Sequence, residues 1–152
     1  MTMSITSKPL PKGYPRLSSA VIYDDAAAAI DWLGKAFGFE VTVRVDGDNG
    51  KITYSELVLG NGSEGMIMVS DRDRTWGASP KQTGGKCTQA VMAFIDDCEE
   101  HCERARRAGA TIAMEPKTSD YGDDYWSDRT YEAVDPEGHH WWFVQRLKHN
   151  RS

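Results

Sequence analysis

Long apolar runs are absent from this sequence, and cysteine is scarce. No stretch approaches the roughly 18 apolar residues of a membrane-spanning helix. Residues 1–17 are polar and contain prolines at positions 9, 11 and 15, so they lack the apolar core of a secretory signal. The three cysteines have no framework spacing, which favours a reducing compartment. We therefore expect a cytoplasmic protein with no membrane partner.

Positive charge is in deficit as well. The 18 lysines and arginines are outnumbered by 23 aspartates and glutamates, which gives a formal net charge of −5. An acidic surface disfavours nucleic acid as a partner and permits a cationic ligand. Ser18 and Ser70 lack a nearby imidazole in the sequence pattern, and Cys87 is predicted in a loop with no recognised partner. No phosphate-binding glycine motif occurs. The sequence thus predicts no catalytic residue.

What the chain does contain is an internal repeat. An apolar run closed by two aspartates, Ala20–Asp25, precedes a helical pattern that stops at Gly38. The same design recurs at Met92–Asp97, where the helical pattern stops at Gly109. The two runs and the two glycines are separated by nearly equal intervals. Two half-domains of one supersecondary design therefore share the chain.

Hydrophobic periodicity divides each half into a strand, a helix and three further strands. Aspartates at the start and a glycine at the end are typical of helix caps. The predicted helices are Ala26–Phe37 and Asp97–Ala108. The predicted strands are Leu17–Tyr23, Val41–Val45, Ile52–Leu59, Met66–Ser70, Ala90–Ile95, Thr111–Met114, Thr130–Val134 and His140–Gln145.

These elements predict one structural domain with five parts. An extended arm (1–15) precedes the first module (16–70), and a polar, glycine-rich linker (71–88) leads to the second module (89–147). A tail (148–152) ends the chain. Within the second module, residues 119–128 are predicted to form an acidic, aromatic loop.

Three stretches resemble a known superfamily. They are Tyr23–Gly38, then Phe94–Asp97 with Arg106–Ala110, and finally Tyr121–Asp123 with Arg129–Phe143. The pattern is similar to the vicinal oxygen chelate superfamily, which is the glyoxalase, bleomycin-resistance and extradiol-dioxygenase group, and it covers about residues 17–146. The resemblance implies an α+β fold in which two βαβββ modules form curled mixed sheets around a cup, usually in a homodimer.

The resemblance also locates the positions at which metal-dependent members carry histidine and glutamate ligands. Here those positions hold Ser18, Met68, Ala90 and Trp142, and a further position that is often histidine holds Tyr54. None of these side chains is an imidazole, carboxylate or thiolate, which are the groups that bind zinc or iron. We therefore expect no metal and no cofactor, and hence none of the Lewis-acid chemistry of the metal-dependent members.

The cup is instead predicted to be aromatic and thioether-rich. If Trp142 faces inward, period-two counting places Phe94 on the same side and directs Trp141 and Phe143 towards the helices. The predicted ligand-binding residues are Ser18, Tyr54, Met66, Met68, Ala90, Met92, Trp126, His140 and Trp142. Alternatively, these side chains fill the cup as core.

Tyr125 and Trp126 of the predicted loop lie beside several carboxylates. Exposed aromatic rings next to acidic groups suit a planar cation, through stacking and cation–π contact. A solvated turn, with Trp126 packed on a dimer mate, is the alternative.

Two further groups of side chains allow more than one interpretation. Cys98, His101 and Cys102 have the spacing of a thiol–imidazole cluster, yet the cysteines and Ala105 also form the buried stripe of a helix, which we favour. Glu56 shares a strand face with Tyr54 and could act as a general base if it were buried. Its place at a strand end predicts exposure.

Three hypotheses follow for the function. The first is a metal-free homodimer that captures a planar or cationic hydrophobic compound, by resemblance to antibiotic-sequestering members. The second is a lyase, isomerase or dioxygenase with a displaced metal site that includes His140 and Glu56. The third is a structural or regulatory dimer whose cup is filled by its own side chains.

Overall fold

The computed structural model describes residues 9–71 and 75–149. The first module comprises β1 (Ser19–Tyr23), α1 (Ala26–Phe37), β2 (Glu40–Asp46), β3 (Ile52–Val58) and β4 (Met66–Asp71). The second comprises β5 (Val91–Phe94), α2 (Cys98–Arg107), β6 (Thr111–Asp120), β7 (Trp126–Val134) and β8 (His140–His149). The predicted βαβββ repeat is confirmed.

Each module builds a four-stranded mixed sheet. The strand orders are β1-β4-β3-β2 and β5-β8-β7-β6, so both modules follow the same topology. The first strand of each module runs parallel to the last, and the remaining pairs are antiparallel. Within the described ranges the two sheets remain separate and are not closed into a barrel.

Both helices begin at the second aspartate of the repeat. The Asp25 side chain accepts a hydrogen bond from the backbone of Ala28, and Asp97 accepts one from the backbone of Glu100. Gly38 ends α1 in the left-handed conformation, with φ of 84°, which a residue with a Cβ adopts at a cost. Neither helix has the length and apolar character needed to cross a membrane.

The two helices cap each other across the modules. Trp32 of α1 donates from its indole nitrogen to the Ala108 carbonyl at 2.7 Å. In return, Arg104 of α2 donates from Nε to the Lys35 carbonyl at 2.7 Å and from Nη2 to the Gly34 carbonyl at 2.8 Å. The last carbonyls of a helix lack partners within the helix, so these side chains supply donors to Ala108 and Lys35, whereas the Gly34 carbonyl also accepts from the backbone of Gly38.

An aromatic cluster forms the core between the modules. Phe37 of α1 packs on Phe143 and Trp141 of β8, with ring centroids 4.6 and 5.3 Å apart. All three side chains are buried. Trp141 and Phe143 therefore face the helices, as the period-two pattern predicts. Aromatic pairs of this kind contribute about 0.5–1.5 kcal/mol beyond the area that they bury.

His101 packs against this core and is hydrogen-bonded through both ring nitrogens. Nδ1 is 2.6 Å from the Tyr131 hydroxyl, and Nε2 is 3.0 Å from the Phe37 carbonyl. Burial lowers the pKa of His101 below its ordinary value of 6.5. Cys98 and Cys102 are buried on the same helix, on the stripe that the spacing predicts. His101 is therefore a half-buried link between α2, β7 and the end of α1.

The second hairpin differs from its prediction. β6 runs to Asp120 and β7 begins at Trp126, so only residues 121–125 of the predicted loop lie outside strands, and the extent given to that loop was wrong. The ends pair in register, with Ser119 opposite Asp128. Polar residues on these strand ends hid the strand pattern from sequence reasoning.

The C-terminal strand is also longer than predicted. β8 continues to His149, whose backbone pairs with that of Trp126, whereas the prediction ended at Gln145. Residues 150–152 of the predicted tail and residues 1–8 of the predicted arm lie outside the described residues.

Replacing His101 with glutamine tests its half-buried, hydrogen-bonded state. At pH 8 we expect a loss of about 1–3 kcal/mol in the free energy of unfolding, because buried hydrogen-bond partners lose their mates. The pKa is lowered on folding, so below pH 6.5 the unfolded native chain binds a proton that the folded chain resists. The native protein should therefore lose stability as the pH falls below 6.5.

Urea unfolding of the native chain and of H101Q at pH 8, 6 and 5 measures this difference. We expect the difference in unfolding free energy between the native chain and H101Q to shrink towards pH 5. His140→Gln is the control, because it replaces a histidine on the side of the second sheet that the helices do not cover. A difference in unfolding free energy that stays constant from pH 8 to pH 5 would contradict a lowered pKa for His101 in the folded chain.

Candidate functional site

The helices cover one side of each sheet, and we call the other side the open face. Strand pairing identifies the members of the open face in the second module. Met92 and Glu132 lie beside Trp142, Phe94 lies beside Val144, and Asp128 lies beside Arg146. His140 precedes Trp142 by two residues and so shares its face. This module-two open face comprises Met92, Phe94, Asp128, Glu132, His140, Trp142, Val144 and Arg146.

Large apolar side chains are exposed at the centre of this face. Met92 is 54% exposed, Phe94 58% and Trp142 43%. They occupy adjacent strands, since β5 pairs directly with β8. A contiguous exposed apolar patch on a folded protein marks a surface that binds a ligand or another protein.

Two pairs of polar groups flank the apolar patch. His140 Nδ1 lies 2.6 Å from Glu132 Oε1, and the imidazole is partly exposed. Arg146 Nε donates to Asp128 Oδ1 at 2.5 Å. Each carboxylate thus has a basic partner, so the polar groups around Trp142 are internally matched.

The guanidinium of Arg146 is also held by aromatic rings. Its central carbon lies 4.6 Å from the centroid of the Trp126 ring and 5.2 Å from that of Phe94. Tyr121 and Tyr125 of the hairpin turn pack against Trp126, at 6.2 and 5.8 Å between ring centroids. The aromatic hairpin therefore packs, through Trp126, on a cation that belongs to the chain itself.

The first module presents a different surface. Tyr54 and Glu56 lie on the open face of β3, and Glu56 is only 6% exposed, so the predicted exposure of Glu56 was wrong. The residues that precede β1 cover it: Tyr14 donates its hydroxyl to Glu56 Oε2 at 2.9 Å, and Tyr54 donates to Oε1 at 2.7 Å. The hydrogen bond to Glu56 raises the pKa of Tyr54 to about 12.

A cleft of about 920 Å³ lies between the first strands of the two modules. It brings together three of the predicted ligand-binding residues, Ser18, Met66 and Met92, and adds Phe94. A smaller cavity of about 340 Å³ is lined by Ala90 and His140. Tyr54 and Met68 lie on the open face of module one, whereas Trp126 and Trp142 lie on the sheet of module two. The predicted residues are therefore distributed over two sheets and the cleft between them.

Sequence reasoning missed Arg146, Asp128 and Glu132. Period-two counting onward from Trp142 reaches Val144 and Arg146, so the alternation could have identified the arginine. Asp128 was assigned to a loop, which concealed the strand pairing that places it beside Arg146.

The described side chains do not fit a metal ion. Glu56 belongs to the first sheet and is bound by two tyrosines, whereas His140 belongs to the second and is bound by Glu132. Among residues 9–71 and 75–149, no group of three or more histidine, cysteine, aspartate or glutamate side chains is arranged to hold a metal. The four residues that the resemblance predicts at ligand positions, Ser18, Met68, Ala90 and Trp142, also lack metal-binding side chains.

Solved structures share this architecture. TioX from Micromonospora sp. ML1 is 30% identical to this chain, and the match covers 86% of this chain and 98% of TioX, with a TM-score of 0.65. TnmS3, described as an antibiotic binding protein from Streptomyces sp. CB03234, is 18% identical. That match covers 86% of this chain and 93% of TnmS3, with a TM-score of 0.63, and shows a common fold.

Sequence comparisons define the family. The uncharacterized protein Mb0911c of Mycobacterium bovis is 34% identical over 135 residues, which cover 88% of this chain and 85% of that protein. The uncharacterized protein Rv0887c of Mycobacterium tuberculosis is 34% identical over 88% of this chain and 76% of its own length. The family model for the glyoxalase, bleomycin resistance protein and dioxygenase group matches residues 17–143. The chain belongs to the Glyoxalase/Bleomycin resistance protein/Dioxygenase superfamily.

Proposed function

We propose that this protein captures a small, planar, hydrophobic compound, for which an antibiotic is one candidate, and holds it without chemical change. The observation that carries the proposal is the exposed patch of Met92, Phe94 and Trp142 on the module-two open face. An indole and a thioether on adjacent strands offer a flat, polarisable surface on which a ring system can stack. The fold shared with TnmS3, an antibiotic binding protein, supports the same class of function.

The proposal includes a homodimer in the cytoplasm. A ligand that stacks on an open sheet remains exposed to water on its other side. A second copy of the chain can cover that side and bury the ligand. The three cysteines are free, which agrees with a reducing compartment.

A second candidate function is proton transfer on a bound compound. The observation that favours it is the His140–Glu132 pair, which lies beside Trp142 with its imidazole 36% exposed. A histidine oriented by a carboxylate is a common general base. Turnover that is lost in His140→Gln while binding is kept would establish this function in place of capture alone.

The contribution of Trp142 is tested by replacing it with leucine. We expect binding of planar aromatic compounds to weaken at least about tenfold, because the loss of stacking and buried area removes about 1.5–3 kcal/mol. Isothermal titration calorimetry of the native chain and of W142L against a panel of bicyclic and tricyclic aromatic compounds measures it. The control is Val45→Ala, which removes an exposed apolar side chain from β2 in the other sheet. Equal losses in both variants would contradict the assignment.

Elemental analysis of protein purified without chelator tests whether a metal takes part. We expect no stoichiometric metal and no change in ligand affinity after treatment with EDTA, because the described donors do not converge. Stoichiometric zinc, iron, manganese or nickel that disappears in His140→Ala would overturn the proposal and favour a metal-dependent lyase, isomerase or dioxygenase.

A further inference from the structure

We propose that Arg146 selects the ligand of the module-two open face, and that this ligand is a planar aromatic compound carrying an anionic or hydrogen-bond-accepting group. The inference rests on the proposed function and specifies its substrate class. The sequence alone favours a planar or cationic compound. The position of Arg146 changes the expected charge.

The place that a planar cation would occupy is already filled. Arg146 lies four residues after Trp142 on β8 and therefore on the same face of the strand. Its guanidinium is within cation–π distance of both Trp126, at 4.6 Å, and Phe94, at 5.2 Å. A cationic ligand would have to displace this group or lie beside a like charge.

The ion pair with Asp128 is asymmetric in its exposure. The Asp128 side chain is 11% exposed, whereas that of Arg146 is 29% exposed. The carboxylate therefore lies beneath the surface, and the guanidinium is the member that a ligand meets. At this position the open face consequently presents hydrogen-bond donors rather than the Asp128 carboxylate.

The guanidinium also has N–H donors that its ion pair with Asp128 does not use. Arginine carries five N–H groups in a planar fork. Within the part of the chain that the structure describes, the one hydrogen bond that Arg146 makes uses Nε, with Asp128 as acceptor. The terminal nitrogens are thus available for a carboxylate, phenolate or carbonyl oxygen. Charge-assisted hydrogen bonds of this kind are about twice as strong as neutral ones.

Three probes of the same shape and different charge test the inference. They are 2-naphthoate, 2-naphthamide and 2-naphthylmethylammonium, each titrated calorimetrically into the intact chain at pH 7.5. We expect 2-naphthoate to bind at least about tenfold more tightly than the ammonium compound, with the amide between them.

Two variants then separate the guanidinium from its partner. Arg146→Met keeps the apolar stem and removes the charge, so 2-naphthoate should weaken at least about tenfold while the ammonium compound tightens against the unpaired Asp128. Asp128→Asn should tighten 2-naphthoate, because the guanidinium loses its anionic competitor. Circular dichroism and urea midpoints establish that each variant folds. Asp128→Asn keeps the inference testable if Arg146→Met does not fold.

The control is Arg129→Met, because Arg129 lies on the opposite face of β7, where it pairs with Glu99. It should change no probe affinity. If all three probes bind with equal affinity to the native chain and to Arg146→Met, or if the ammonium compound binds most tightly, the inference about Arg146 is overturned while capture of planar compounds stands. If no probe binds the native chain, including the neutral amide, both the inference and the proposed function fail.

Discussion

The packing of Phe37 against Trp141 and Phe143 is the interaction on which the remainder of the structure depends. It joins the end of α1 in the first module to the last strand of the second, and the mutual capping by Trp32 and Arg104 reinforces it. Because neighbouring residues of a strand point to opposite sides, burying both of these rings directs the residue between them away from the core. The side chain of Trp142 is therefore exposed as a consequence of the core that forms behind it. The two faces of β8 therefore serve the stability of the core and the candidate binding surface, respectively.

The open face that results is apolar at its centre, and each carboxylate around that centre is bound to a basic side chain. His140 is hydrogen-bonded to Glu132 and Arg146 is ion-paired with Asp128, although the chain as a whole is acidic. Local pairing matters more for a ligand than the net charge, because exposed charges beyond about 10 Å are largely screened at ordinary ionic strength. This explains how an acidic protein can present donors to an acceptor-bearing compound. The same pairing leaves His140 oriented, which is why proton transfer is the second candidate.

The internal repeat made most of the fold predictable from the sequence. The polar ends of β6, β7 and β8 could not be predicted in the same way. Asp25 and Asp97 mark the two helix starts by the chemistry of capping, and alternation around Trp142 assigns the buried and open sides of β8 correctly. The loop prediction failed because β6 and β7 carry polar residues where they extend beyond the core, so their hydrophobic alternation fades. Glu56 was misjudged because the tyrosine that covers it, Tyr14, lies 42 residues earlier in a segment without regular structure. Arg146 was missed because counting stopped at the apolar residues, although the same periodicity leads to it.

The position of the bound ring is the central claim, and the indole N–H resonances of the five tryptophans can locate it. Titrating 2-naphthamide into ¹⁵N-labelled protein, with the resonances assigned by single replacements, should shift those of Trp142 and Trp126. The resonances of Trp32 and Trp141, whose indoles donate within the core, should stay in place. Shifts confined to tryptophans other than Trp142, or none at saturating concentrations, would contradict the account.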